Sequence, residues 1–88
     1  MKHFVYMLRC KDNSLYTGYT IDLNKRLKKH NDGKASKYTR SRLPVKLVFY
    51  KQVDSKSLGL KLEILLKKLN KKEKEKLVLA FKQKDLFV

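Results

Sequence analysis

Two periods govern the apolar positions of this chain, a short one near its beginning and a helical one in its later half. From His3 to Cys10 the residues form an apolar run of strand length, rich in aromatic and β-branched types, which predicts a central strand. Lys11, Asp12, Asn13 and Ser14 make a turn cluster, and Leu15 to Thr20 resumes the β pattern, so the two runs are expected to pair as a hairpin. Asp22 then offers an N-cap for a helix reaching about Asn31, with Leu23 and Leu27 on one face. Asp32-Gly33 ends it, the glycine supplying the left-handed residue that helix C-termini favour. Lys34 to Pro44 has no period and many charges and is expected to be a loop. Val45 to Val53 reads as a third strand with Leu47, Val48, Phe49 and Tyr50 at its centre. Asp54 or Ser55 can cap a second helix, in which Leu58, Leu62, Leu65, Leu66 and Leu69 recur at helical spacing. Asn70 followed by Glu73 resembles a capping box and starts a third helix through about Lys82, with Leu77, Val78 and Phe81 as its apolar residues.

The order ββαβαα predicts an α+β fold, a three-stranded antiparallel sheet flanked by helices, with no internal repeat and no interdomain linker. At 88 residues the chain has room for one domain, spanning 1–88. A domain of that size buries only about 60–65% of its unfolded surface, so it cannot hide many polar side chains without a reason.

Charge changes the picture more than length does. The 23 Lys and Arg outnumber the 8 Asp and Glu, a formal charge of +15. Such self-repulsion disfavours the compact state and is offset most simply by a polyanion, because each neutralised phosphate releases a condensed counterion. Nucleic acid is the expected partner; an anionic membrane surface fits the charge balance as well. No apolar run approaches the ~20 residues that span a bilayer, and membrane attachment is not expected. The first residues, Met1 to Tyr6, lack the long apolar stretch and small-residue cleavage site of a signal peptide. Cys10 is the single cysteine, so an internal disulfide is excluded and a reducing cytoplasm is expected. A zinc site of Cys and His pairs is excluded with it, His3 and His30 being far apart in sequence.

Within so lysine-rich a chain, arginine is informative, because its planar fork grips a phosphate bidentately where lysine cannot. Arg occurs at 9, 26, 40 and 42, and Arg26 lies one helical turn before His30, so the two share a face beside Leu23 and Leu27. An ordinary solvated edge would look the same. Glu63 lies within the leucine pattern of the second helix, close to its stripe, and Gly59 one turn earlier is expected to leave open space beside the carboxylate. That carboxylate could ligate a hard divalent cation, or simply pair with Lys67 along the helix. Tyr6 and Tyr16 stand on the two hairpin strands and, by period two, can share a face; as isolated residues they read equally as core aromatics. Lys37, Tyr38, Arg40 and Arg42 gather cations and an aromatic ring in one segment, which suits holding a nucleic-acid backbone and stacking a base, or a plain basic loop.

Taken together these parts resemble one family. Val5-Tyr6 and, ten residues later, Tyr16-Thr17-Gly18 are similar to the paired GIY and YIG segments of the GIY-YIG nuclease superfamily. Asp22-Leu23 leading to Arg26 and then His30-Asn31 resembles its first-helix motif, and Leu62-Glu63-Ile64 before Lys67-Lys68-Leu69 resembles the segment of its metal-binding glutamate. The resemblance runs from about Phe4 to about Leu69. It is strongest to small stand-alone bacterial members, which resemble the nuclease module of branched-DNA resolving enzymes. Phe4 stands where the first Gly of GIY is usual and Thr17 where the Ile of YIG is usual.

What the resemblance implies is a one-metal hydrolysis of phosphodiester bonds in DNA, branched, flap or nicked structures being favoured. Glu63 would bind Mg²⁺ or Mn²⁺. Tyr6, its hydroxyl pKa lowered by nearby positive charge, would help activate water. His30 would assist Tyr6, and Arg26 and Tyr16 would hold the phosphate. These side chains are expected to meet on one face of the sheet. The alternative is a catalytically weak nucleic-acid-binding module, for DNA or RNA, on the same fold. A protein partner could supply targeting, and the sequence leaves the oligomeric state open.

Overall fold

The hairpin is closed by its turn chemistry. In the computed structural model, which describes residues 1–86 with side chains through residue 83, the Ser14 amide donates to Asp12 Oδ1 at 3.1 Å and Asn13 takes a left-handed φ of 69°, a conformation Asn tolerates. The Cys10 amide donates to the Ser14 carbonyl at 2.9 Å and seals the loop. β1 (His3–Arg9) and β2 (Leu15–Thr20) pair antiparallel, with Tyr6 opposite Gly18 and Leu8 opposite Tyr16. β3 (Lys46–Val53) pairs with the other side of β1, and its register slips by a bulge between Met7 and Leu8. The strand order β2-β1-β3 makes the most apolar strand the central one, as its composition predicts, and leaves β2 on an edge.

Period two sorts the side chains into two cores. Val5 and Met7 look one way and meet Leu66 and Val78; Tyr6 and Leu8 look the other way and meet Cys10, Val45, Leu23 and Leu27. Helix α1 (Leu23–Asn31) covers the second face. Asp22 caps it by accepting the Lys25 amide at 3.0 Å, and Gly33 ends it at φ 75°. The Lys34 amide reaches the Lys29 carbonyl (3.0 Å) and the Gly33 amide the His30 carbonyl (2.9 Å), a Schellman closure. Asn31 then holds the residue before β3 in place: its Oδ1 accepts the Val45 amide at 2.8 Å and its Nδ2 donates to the Val45 carbonyl at 3.1 Å.

Between α1 and β3, where a loop is expected, one helical turn intervenes. Helix α2 (Lys37–Arg40) is capped by Ser36, whose Oγ accepts the Thr39 amide at 3.1 Å, and it buries Thr39. Four residues are too few to display a helical period, so only the cap could have announced it. Apart from this turn the order ββαβαα holds.

Helix α3 (Lys56–Lys67), capped by Ser55, and α4 (Lys71–Leu86) cover the first face. The capping box is reciprocal: the Asn70 amide donates to Glu73 Oε1 (3.0 Å) and the Glu73 amide to Asn70 Oδ1 (2.8 Å). Phe81 of α4 sets its ring edge-on to Phe49 and Tyr50. The leucine stripe of α3 is wider than its seat. Leu66 is buried and Leu62 and Leu69 pack beside it, but Leu58 and Leu65 stay 48% and 60% exposed, because a three-stranded sheet offers one helix only a narrow strip. Thr17 faces this core, and its Oγ1 has no hydrogen-bond partner among the described residues. A buried hydroxyl in that state costs about 1–3 kcal/mol, a cost that the isoleucine usual at this motif position would avoid. No helix among the described residues is long and apolar enough to cross a membrane.

Candidate active site

The absence of a side chain at Gly18 places the Tyr6 ring. A Cβ at Gly18 would stand 2.5 Å from the Tyr6 hydroxyl and 2.6 Å from Cζ, so the phenol can lie directly across the glycine on the edge strand β2. There its hydroxyl meets Nε2 of His30 at 2.8 Å. His30 arrives from the last turn of α1, 1% exposed, with its ring edge-on to Tyr6 and to Tyr16 (centroids 5.9 and 5.2 Å). Its Nδ1 lies 2.8 Å from Thr39 Oγ1, and Thr39 is fully buried.

Burial sets the protonation of this pair. Loss of solvation, helped by the positive Arg26, pushes the His30 pKa down to about 4, so the ring is neutral at pH 7. Loss of solvation first, and then the Tyr16 and Glu63 charges, push the Tyr6 hydroxyl well above the usual phenol range, while Arg26 acts in the opposite direction and is outweighed. The expectation of a Tyr6 pKa lowered by positive charge is thereby corrected. The phenol is buried too deeply for one arginine to decide its state, and it keeps its proton.

A depressed folded-state pKa means that the unfolded chain takes up a proton at His30 first as pH falls. Stability that is fully present above pH 6.5 is therefore expected to drain away toward pH 4, by roughly 2 kcal/mol between pH 7.5 and pH 5, in urea unfolding. The carboxylates of Asp12, Asp32 and Glu75, whose pKa values hydrogen bonds hold below the ordinary range, stabilise the fold above their ordinary range and add to the loss only at the acid end of that window.

Arg26 stands one turn before His30, half-buried, on an open cavity of about 280 Å³ that Thr20, Lys25 and Lys29 also line. Glu63 stands on α3, in the opposite layer of the molecule. Its side chain is 17% exposed and lies 3.3 Å from Lys67 Nζ, so the intrahelical ion pair exists. Its charge is nonetheless among those acting on the Tyr6 hydroxyl. The helix that carries Glu63 thus packs on the Val5–Met7 face, while Tyr6, Tyr16 and the helix that carries Arg26 and His30 belong to the other face. Gly59 does not leave a gap by the carboxylate. A Cβ there would sit 2.7 Å from Cε1 of Tyr19, whose ring fills the space and whose hydroxyl meets His3 Nδ1 at 2.7 Å.

The expected nucleic-acid-binding residues lie on and after α2. Lys37 and Arg40 are exposed. Tyr38 stacks on Tyr16 (centroids 6.0 Å apart, planes 27°), and the Arg42 guanidinium covers the Tyr38 ring at 3.9 Å while its Nε donates to Asp12 Oδ2 at 2.9 Å. Arg42 is thus a clasp joining α2 to the hairpin turn. Arg9, in turn, grips Glu75 of α4 through both terminal guanidinium nitrogens. Thr39 and Ser36 are the site-forming residues that sequence reasoning passes over; their one signal is a pair of hydroxyls three apart amid cations.

Among the described residues no three His, Cys, Asp or Glu side chains come together. A divalent ion here would rest on the Glu63 carboxylate, with water and phosphate oxygens completing its shell, and Mg²⁺ accepts that arrangement readily.

Comparison with known proteins places the chain in a family. The family model described as the GIY-YIG catalytic domain matches residues 2–76. The UPF0213 protein YazA of Bacillus subtilis is 52% identical over 73 residues, covering 83% of this chain and 74% of that protein. The UPF0213 protein SpyM50708 of Streptococcus pyogenes is 48% identical over 84 residues, 96% of this chain and 91% of that one. Among solved structures, the solution structure of the UPF0213 protein BH0048 from Bacillus halodurans matches with a TM-score of 0.59 at 48% identity, covering 91% of this chain and 85% of that one. Protein EF2693 from E. faecalis matches with a TM-score of 0.63 at 36% identity, covering 94% and 88%. With a family model spanning most of its length and relatives near half identical, the chain belongs to the GIY-YIG nuclease superfamily.

Proposed function

We propose that this protein is a metal-dependent endonuclease that hydrolyses phosphodiester bonds in DNA, favouring nicked, flap or four-way structures. The observation that carries the reading is the Tyr6 hydroxyl, held 2.8 Å from His30 Nε2 above Gly18, with the charges of Arg26 and Glu63 both acting on it. Tyr6 takes the proton of the attacking water while its own moves to His30 Nε2, so the phenol relays a proton without first ionising. The anionic phosphate favours that transfer, because negative charge beside His30 stabilises the imidazolium. Arg26 and Tyr16 hold the phosphate and meet the charge that develops on its oxygens. Glu63 would hold an Mg²⁺ or Mn²⁺ ion, which when bound would supply Lewis-acid stabilisation of the leaving oxygen. Lys37, Tyr38, Arg40 and Arg42 track the strand beyond the scissile bond. The buried free thiol of Cys10 suits a reducing compartment such as the cytoplasm.

The test is incubation of end-labelled nicked, flap and four-way DNA with the protein in Mn²⁺, in Mg²⁺ and in EDTA. Cleavage with either ion and none in EDTA is expected. Salt-sensitive binding with no cleavage under any condition would replace the enzyme with a binding module.

A further inference from the structure

The hydroxyl of Thr39 has no part in the chemistry above, yet it is completely buried and touches the one base in the site. We infer that Thr39 is a positioning residue: it accepts the Nδ1 proton of His30 and so holds the imidazole with Nε2 bare toward Tyr6. The consequence for cleavage rests on the nuclease reading; the tautomer does not.

Donors and acceptors alternate along one buried chain of side chains. Tyr6 is 2% exposed, and the partner of its hydroxyl among the described residues is His30 Nε2 at 2.8 Å. A buried hydroxyl that holds its proton is best satisfied by giving it to the acceptor beside it, which assigns Nε2 as unprotonated. A neutral imidazole then carries its proton on Nδ1, which points at Thr39 Oγ1, also at 2.8 Å. Thr39 has a single proton of its own to donate. It lies 2.9 Å from Ser36 Oγ and 3.5 Å from the Ser36 carbonyl, either of which accepts it. Ser36 Oγ accepts the Thr39 amide as well, which fixes it as the helix cap. With Thr39 donating to the Ser36 carbonyl and accepting from Ser36 Oγ, each group from Tyr6 through His30 and Thr39 to Ser36 places its proton. In the reverse orientation Nε2–H would donate to Tyr6 and the phenol would have to turn its proton to water, giving up the buried acceptor that stands 2.8 Å away.

This gives the unexpected α2 a purpose. The left-handed Gly33 turns the chain back after α1, Ser36 caps a single turn, and that turn sets Thr39 against the residue nine positions earlier. A positioning contact of this kind, made to the second nitrogen of a functional histidine, is worth about 10–100-fold in activity.

The experiment reads the tautomer directly. Protein labelled with nitrogen-15 histidine gives long-range proton–nitrogen correlations that separate a protonated from a bare ring nitrogen, and His3→Gln assigns the two rings. Wild type at neutral pH is expected to show His30 protonated at Nδ1. Thr39→Val is expected to move that proton to Nε2 and to lower single-turnover cleavage about 10–100-fold, whereas Thr39→Ser keeps the wild-type spectrum and stays within a few-fold of wild-type cleavage. A wild-type His30 carrying its proton on Nε2 overturns the inference, and needs no variant to fold. So does a Thr39→Val protein whose tautomer or cleavage rate is unchanged. A wild type with the expected spectrum that cuts nothing would overturn the nuclease reading while the tautomer assignment stands.

Discussion

Glu63→Gln is expected to reduce divalent-ion-dependent cleavage of branched DNA by about 10³-fold or more, with the protein still folded. The amide keeps the shape of the carboxylate and removes its charge. Loss of a ligand that lets an ion stabilise the leaving oxygen forfeits several kcal/mol of transition-state stabilisation, and about 4 kcal/mol corresponds to that factor. Folding should hardly notice. The ion pair with Lys67 is an i,i+4 contact whose lysine is about half exposed, worth only about 0.3–0.5 kcal/mol. The sign of the effect distinguishes two roles for Glu63. Its charge raises the Tyr6 pKa, so if it acted only through that field, its removal would ease proton transfer from Tyr6 and cleavage would rise. Single-turnover assays in Mn²⁺, alongside thermal melts by circular dichroism, decide between them. Undiminished cleavage by the variant would remove Glu63 from the chemistry.

What the amino-acid sequence discloses about this site, and what it withholds, divides by the range of the interaction. The Asp22 cap, the left-handed Gly33 and the Asn70–Glu73 box are local hydrogen-bonding arrangements, and each is formed where the residues call for it. Period two likewise suffices to bring Tyr6 and Tyr16 to one face, because Leu8 opposite Tyr16 fixes the register. Contacts between distant segments are another matter. Gly59 reads as empty space until the Tyr19 ring, forty positions earlier, is found occupying it. The Tyr6 pKa depends on how much water its hydroxyl loses, a property of the packed molecule, and so the sign inferred from neighbouring cations alone is reversed. Glu63 carries a helical address but no indication of which layer its helix joins. Thr39 is the hardest to read: a single helical turn has no periodicity, and its partner His30 lies in a different element.

The second large effect follows from the glycine beneath the phenol. Gly18→Ala is expected to lower cleavage by at least about 10²-fold, the scale on which a displacement near 1 Å at a reacting group is felt. The new Cβ would stand 2.5 Å from the Tyr6 hydroxyl, well inside contact distance, and the ring can yield only by leaving its 2.8 Å hydrogen bond with His30. Gly18 is not in the left-handed region, so alanine meets no backbone strain there, and the overpacking should cost about 1–3 kcal/mol without unfolding the sheet. Gly33→Ala is the converse control. At φ 75° it strains the backbone by about 1–2 kcal/mol, but its Cβ meets nothing closer than 3.6 Å, so stability should fall while cleavage, which depends on Gly33 only through the placement of Thr39, falls far less than in Gly18→Ala. A double-mutant cycle completes the argument. If Gly18→Ala acts by displacing the Tyr6 hydroxyl, then in a Tyr6→Phe background, which has no hydroxyl to displace, it should cost almost nothing further. Losses that simply multiply would mean that Gly18 matters for some reason other than the phenol above it, and the proton relay through Tyr6 would lose its structural basis.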